Sequence, residues 1–138
     1  MIVTRKIDLD TKGECHIIDI TPHVEREIAE AGMTSGTVTV FITGSTSAVT
    51  TIEYEPGLLA DFPRMWDGIA PQDIPYDHNE RWGDGNGHSH IRASLLGASL
   101  VIPFTEKNLD LGTWQQIVVV DFDNRPRTRQ VLLKIMGE

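Results

Sequence analysis

QQIVVVDFDNRPRTRQVLLKI, residues 115–135, holds two β-prone runs around Asp123, Asn124, Arg125 and Pro126, residues that favour a turn. In the first run Ile117, Val118, Val119 and Val120 are apolar on both alternating faces, as expected of a strand covered on both sides. Such a strand needs one layer above it and another below. The closing strands on this reading are Ser99–Phe104, Gln115–Phe122 and Thr128–Ile135, the last two joined by the turn.

The preceding chain supplies the rest of the layers. Ile2–Leu9 and Cys15–Ile20 are short and β-prone, and Asp10-Thr11-Lys12-Gly13 between them reads as the tight turn of a hairpin. Thr21 before Pro22, with Glu25 and Glu27 following, predicts a capped helix over about 22–31 that stops at Gly32. Residues 36–43 and 48–54 are rich in β-branched side chains and predict two strands around the loop Gly44-Ser45-Thr46-Ser47. A second helix is expected over about 58–70, where Leu58, Leu59, Phe62, Met65, Trp66 and Ile69 recur near helical spacing, with Pro63 near its first turn. The polar stretch 71–87 is left without elements. This order is not a regular βαβ alternation, so the expected class is α+β, with mostly antiparallel β-sheets packed as a sandwich and two main helices.

Hydrophobic residues make up 40% of the 138 and charged ones 23%, a globular balance that suits one domain over 1–138 with a core of its own. A formal charge of −8 repels phosphate backbones and anionic lipid, so neither nucleic acid nor a membrane surface is an expected partner. The single cysteine, Cys15, closes no intrachain disulfide, and the start MIVTRKIDLD holds no apolar targeting segment. A reducing cytoplasm is the expected location.

Chemistry concentrates in GDGNGHSH, residues 83–90. On an extended segment His88 and His90 would point to one side, whereas on a helix they would diverge by about 200°. If the glycine loop folds back, His78 adds a third nitrogen, giving a site in which a divalent metal, zinc before magnesium, keeps one position for water or substrate. Glu80 or Asp84 would then orient a histidine or act as a base, beside His90. Against this, H-x-H is a common pair, and from spacing alone a hydrogen-bonded loop with glycines at positive φ ranks ahead of a metal site. His16 and His23 read as structural.

Two further features are suited to anions. Ser45, Thr46 and Ser47 bring hydroxyls and free backbone amides into one loop, although such a tract is more often just a turn and lacks the lysine of a P-loop. Arg127 and Arg129 share one side of a strand and could clamp an anion, but cross-strand pairing with Asp121 and Asp123 is preferred for at least part of that row. Trp114 is more often core or subunit contact than a platform, while Gln115 is placed to orient a polar ligand. Cys15 and His16 are neighbours on a strand and point apart, which argues against a nucleophilic dyad.

The stretch GHSHIRASLLGASLVIPF, residues 87–104, followed by LDLGTWQQIVVVDFDNRPRTRQVLLKIMGE, residues 109–138, resembles the YjbQ-like uncharacterised protein family, with LGTWQ, the IPF strand and the terminal MGE the distinctive combination. The resemblance implies a compact α+β protein, a homotrimer, and a polar pocket in the histidine region. It also implies the weak activity of secondary thiamine-phosphate synthase type that some members show, joining a pyrimidine diphosphate to a thiazole phosphate. His90 matches the family's histidine before LLG, Thr113 and Gln115 lie in its GTWQ, and Arg127 lies in its basic stretch. Ser45 stands where many members have a histidine before a Thr-Thr pair, and His88 is not shared by all.

Two functions follow as expectations. One is an enzyme acting on a small phosphorylated metabolite, with His78, His88 and His90 on a metal, His90, Glu80 and Asp84 in catalysis, and Ser45, Thr46, Ser47, Thr113, Gln115 and Arg127 on the ligand. The alternative is a non-catalytic trimeric protein that binds metal or metabolite. A wholly structural variant puts the histidines into a trimer contact.

Overall fold

The structure, a computed structural model, describes residues 1–138. The strands are β1 (Ile2–Thr11), β2 (His16–Asp19), β3 (Gly36–Ile42), β4 (Ser47–Ile52), β5 (Ser99–Thr105), β6 (Asn108–Leu109), β7 (Gln116–Asp121) and β8 (Arg127–Gly137). The helices are α1 (Thr21–Glu30), α2 (Pro56–Ile69), α3 (Asp77–Trp82) and α4 (Gly87–Leu96). A five-stranded sheet runs β1-β8-β3-β5-β6 and a three-stranded sheet runs β2-β7-β4, every pairing antiparallel. The expected α+β class with antiparallel sheets is what the chain adopts.

Strand β7 explains the layering. Ile117 and Val119 point into the core between the two sheets, where they meet Val38, Leu133 and Ile135 of the large sheet and Val24 and Ile28 of α1. Val118 and Val120 point the other way and pack with Trp66 of α2 and Ala93 of α4. All four are 0% exposed, so the strand is a middle layer and its apolar run is accounted for by burial on both faces. Trp66 stands edge-on to Phe122 at 5.1 Å between ring centres, which fixes the end of β7 beneath α2.

The expected first hairpin is instead a crossover between sheets, and the turn after β7 is a second one. β1 pairs with β8 and β2 with β7, because Gly13, Glu14 and Cys15 all take positive φ (76°, 54° and 61°) and turn the chain out of the large sheet. The turn after β7 likewise delivers the chain to the large sheet, where β8 lies between β1 and β3. The two crossovers touch: Glu14 N donates to Asp123 O at 2.7 Å, and a Cβ on Gly13 would lie 2.6 Å from that same oxygen. Glycine is required there by contact as well as by φ.

The helices differ in detail from expectation. Thr21 is the first residue of α1 and does not cap it; its hydroxyl accepts from Ile117 N at 2.8 Å, tying the helix to β7. α2 begins at Pro56, with the Glu55 carboxylate accepting from Gly57 N and Leu58 N, so Pro63 falls well inside the helix, about two turns from its start. The supposed polar loop contains α3, and α4 begins at Gly87. No helix is long and apolar enough to cross a membrane.

Candidate functional site

The site forms where the ends of β7 and β8 meet the loop between β3 and β4. Side chains two apart on β8 share a face, so Arg127 and Arg129 both turn toward Asp121 and Asp123, which are 0% exposed. Arg129 grips Asp121 with two nitrogens, Nε to Oδ2 at 2.7 Å and Nη2 to Oδ1 at 3.0 Å. Its Nη2 also donates to Thr46 Oγ1 at 2.6 Å, and Thr46 Oγ1 donates to Asp123 Oδ2 at 3.0 Å. Arg127 Nε donates to the same Asp123 oxygen at 2.8 Å. Thr11 and the Asp123 N–H complete the set around Asp121.

This network sets the protonation of its members. Burial pushes the Asp121 carboxyl up, but hydrogen bonds from Arg129, Thr11 and the Asp123 amide outweigh it and hold the group below the usual carboxylate range. Asp123 is held down in the same way, against burial, by the Asn124 amide, Thr46, Arg127 and Asn86. Both remain charged, and both are matched by a guanidinium. The loop is thereby fastened to two strands of different sheets. Gly44 is part of the fastening: at φ 128° a Cβ would lie 2.8 Å from Arg129 Nη1, so only glycine lets the guanidinium pass.

Opposite the loop stand α3 and α4. The rings of His78 and His90 lie 4.4 Å apart, tilted by 45°. Gly87 N donates to Asn79 Oδ1 at 2.8 Å, joining the two helices where a side chain on Gly87 would strike Tyr76 at 2.7 Å. His90 is pushed below the ordinary histidine value, first by burial and then by the neighbouring His78, against the opposing pull of Asp84, Asp123 and the Ser45 backbone. Asn86 sits between two carboxylates: its amide nitrogen is 3.3 Å from Asp123 Oδ1 in one orientation of the group and 3.0 Å from Asp84 Oδ1 in the other. His78 Nδ1 is 3.5 Å from Asp84 Oδ1, too loosely set for a hydrogen bond.

Two hollows open here, of about 380 and 280 Å³, sharing Gly44, Ser45 and His90. The larger is bounded by Thr46, Arg127 and Arg129 on one side and by His78, Trp82 and Asp84 on the other. The smaller runs between Ser47 and the α4 residues Ala93 and Ser94. Of the expected site residues, Ser45, Thr46, Ser47, His78, Asp84, His90 and Arg127 are brought together. Glu80 is exposed on α3 and lines neither hollow. Thr113 and Gln115 lie elsewhere on the surface, where Gln115 accepts from Gly112 N and donates to Thr51 at 3.0 Å.

His88 is the main departure. It lies on α4, not on an extended rim, so it points away from His90 and is buried at 1% exposure. Ser89 Oγ donates to Phe122 O at 2.5 Å and is left to accept from His88 Nε2 at 3.3 Å, which puts the proton of that ring on Nε2. Burial, then Arg92, hold His88 below its ordinary pKa, while Asp123 and Asp67 pull the other way. The three-histidine set is not gathered, and no cluster of three or more His, Cys, Asp or Glu side chains has metal-holding geometry. The residues present do not fit a three-imidazole zinc centre.

Spacing also missed Asn86 and Trp82, while Arg129 was visible both as a possible anion clamp and as an ion-pair partner. Trp82 is 67% exposed and carries Arg81 at 5.6 Å over its ring; an exposed tryptophan beside a glycine-rich loop was the available signal. No nucleophile is activated in either hollow. Cys15 lies in the core beneath α2, and burial, only partly offset by Arg92 and added to by Asp67, pushes its thiol up to about 12. The charges of Arg127 and Arg129 are balanced by Asp123 and Asp121, and Asp84 adds one negative charge. With His90 neutral the arginines give the larger hollow no excess positive charge, and a bound dianion would favour protonation of His90.

The profile of the family described as UPF0047 protein, YjbQ-like, matches residues 5–138. A UPF0047 protein of Methanothermobacter thermautotrophicus is 37% identical over 137 residues, covering 99% of this chain and 94% of that protein. UPF0047 protein YugU of Bacillus subtilis is 33% identical over 135 residues, covering 96% and 98%. Among solved structures, a YbjQ-like protein of unknown function from Sulfolobus solfataricus P2 superposes with a TM-score of 0.90 at 30% identity over 100% of both chains. A hypothetical protein from Aeropyrum pernix K1 gives 0.91 at 32% identity over 99% of both.

Proposed function

The chain belongs to the YjbQ-like UPF0047 family, and we propose that this member binds the phosphoryl group of a small metabolite in the hollow bounded by Ser45, Arg127 and His90. One observation carries this. Arg127 is fixed through Nε to a buried carboxylate, while its two Nη groups make no hydrogen bond within the protein and its side chain stays 35% exposed at the hollow. A guanidinium held by one edge presents the other as a ready fork for phosphate oxygens. The Ser45 and Thr46 loop adds hydroxyl and backbone donors on the same side.

His90 is the group assigned to move a proton. Its depressed pKa leaves it neutral and able to accept one, and the phosphate it faces would stabilise the resulting imidazolium. A transfer of thiamine-phosphate synthase type is the reaction the resemblance implies, with Arg127 holding the phosphate of one substrate. No step is assigned to a metal, since the histidines that would hold it are not gathered. A non-catalytic binding role is the second reading, favoured by the lack of an activated nucleophile. Trimeric assembly belongs to the proposal as well, supported by Ile2, Met136 and Val101, which are exposed at 64%, 49% and 61% on the outer face of the large sheet. A cytoplasmic location completes it.

The test is sulfate binding by calorimetry, because sulfate stays a dianion across the pH range. Native protein should bind it more tightly as pH falls toward 6 and take up a proton on binding. Arg127→Met should weaken binding at least tenfold, and His90→Ala should remove the pH dependence. Equal binding by native protein and Arg127→Met would overturn the assignment. Turnover by a thiamine-phosphate synthase assay, or rescue of a strain lacking that enzyme, separates catalyst from binder. Light scattering gives the oligomeric state.

A further inference from the structure

The smaller hollow narrows the class of ligand. It is continuous with the larger one through Gly44, Ser45 and His90, yet its chemistry differs. The charged side chains exposed to the site, Asp84, Arg127 and Arg129, all line the larger hollow. The smaller one has none: Ser45, Ser47 and Ser94 provide hydroxyls, and Ala93, Gly97 and Ala98 keep the walls small. Ser47 is 2% exposed, and its hydroxyl has no hydrogen-bond partner. A buried hydroxyl without a partner is a donor and acceptor missing its counterpart.

We propose that the ligand is a phosphate monoester with a compact, uncharged, hydroxyl-bearing body. Its phosphoryl group lies against Arg127, and its body occupies the space between Ser47 and Ala98, where Ser47 hydrogen-bonds it. This rests on the phosphoryl reading above and extends it to the other end of the molecule. A second anionic group at that end would meet no arginine or lysine, the one imidazolium there, His90, being engaged by the phosphoryl group, and would lose its hydration without compensation. The space, about 280 Å³, sets the upper size of that body.

Calorimetry on the full chain with three probes decides it: inorganic phosphate, glycerol 3-phosphate and 3-phosphoglycerate. The last two are alike in size and differ by a carboxylate at the distal end. Glycerol 3-phosphate should bind at least tenfold more tightly than inorganic phosphate, and 3-phosphoglycerate no more tightly than inorganic phosphate. Ala98→Leu, which fills the smaller hollow, should abolish the glycerol 3-phosphate advantage while leaving inorganic phosphate within about twofold. Ser47→Ala should weaken glycerol 3-phosphate about fivefold and inorganic phosphate hardly at all.

Equal binding of glycerol 3-phosphate and inorganic phosphate by the native chain would overturn this inference and leave the phosphoryl site standing. So would 3-phosphoglycerate binding as tightly as glycerol 3-phosphate. If none of the three binds, the phosphoryl reading fails and this inference fails with it. The native comparison holds whether or not Ala98→Leu folds.

Discussion

Asp121→Ala removes a carboxylate that is 0% exposed and accepts from Arg129 Nε at 2.7 Å, Arg129 Nη2 at 3.0 Å, the Asp123 amide at 3.0 Å and Thr11. Arg129, with a side chain only 9% exposed, then keeps one distant carboxylate, Asp123 at 3.7 Å. Breaking a buried pair from one side destabilises by about 3–5 kcal/mol, since the remaining charge is left without compensation. For a chain of this length the unfolding entropy is roughly 0.3 kcal/mol per kelvin, so Tm should fall by roughly 10–17 °C. Thermal unfolding followed by circular dichroism measures this. Arg129 also carries Thr46, so sulfate affinity should fall in the same variant at temperatures where it remains folded. The double variant Asp121→Leu with Arg129→Met should recover most of the lost stability, because it leaves no unpaired charge. A loss below about 3 °C for Asp121→Ala, corresponding to roughly 1 kcal/mol, would show that water reaches Arg129 and that the network is not sealed.

Stability should decline as pH falls below the ordinary histidine value of 6.5, because His16, His88 and His90 are all held below it in the fold. The unfolded chain binds more protons there, so the contribution is present above pH 6.5 and lost on acidification; a urea midpoint unchanged from pH 7.5 to 5 would refute this. Asp121 and Asp123 add a second loss below about pH 3.8, where the unfolded carboxylates protonate first. Gly87→Ala should destabilise by about 1–3 kcal/mol, since the new Cβ would meet Tyr76 at 2.7 Å and Asn79 Oδ1 at 3.0 Å. It should also weaken sulfate binding by displacing His90; unchanged melting and binding would contradict the packing of α3 on α4. Glu55→Ala should lower stability by about 1 kcal/mol through loss of the α2 cap, with sulfate affinity unaffected.

What the chain discloses in sequence depends on which faces are apolar. Ile117–Val120 reveals a strand between two layers because burial on both faces leaves no polar residue to interrupt the run. α4 conceals itself by the same logic: its buried stripe includes His88, Ser89 and Arg92, so hydrophobic periodicity does not register. The distinction between a hairpin and a sheet crossover was also hidden, because Asp10–Gly13 has ordinary turn chemistry and the positive φ of Glu14 and Cys15 leaves no mark in residue type. Within the site, the two-residue period of a strand correctly put Arg127 and Arg129 on one side, facing Asp121 and Asp123. It failed for His88 and His90 because they lie on a helix. Asn86 and Gly44 owe their places to tertiary neighbours distant in sequence, which no local pattern encodes.

Strand β8 has a consequence for how the protein is made. It lies between β1 and β3 and carries both arginines of the pocket, yet it follows every other strand in the chain. Until it emerges from the ribosome, β1 lacks its neighbour, β3 lacks one of two, and Asp121 and Asp123 lack their guanidinium partners. Pairing Ile2 with Met136 closes nearly the longest loop this chain can form, a slow event compared with local contacts. The nascent chain therefore passes through a stage with two exposed strand edges and no pocket, when shielding by a chaperone would matter most.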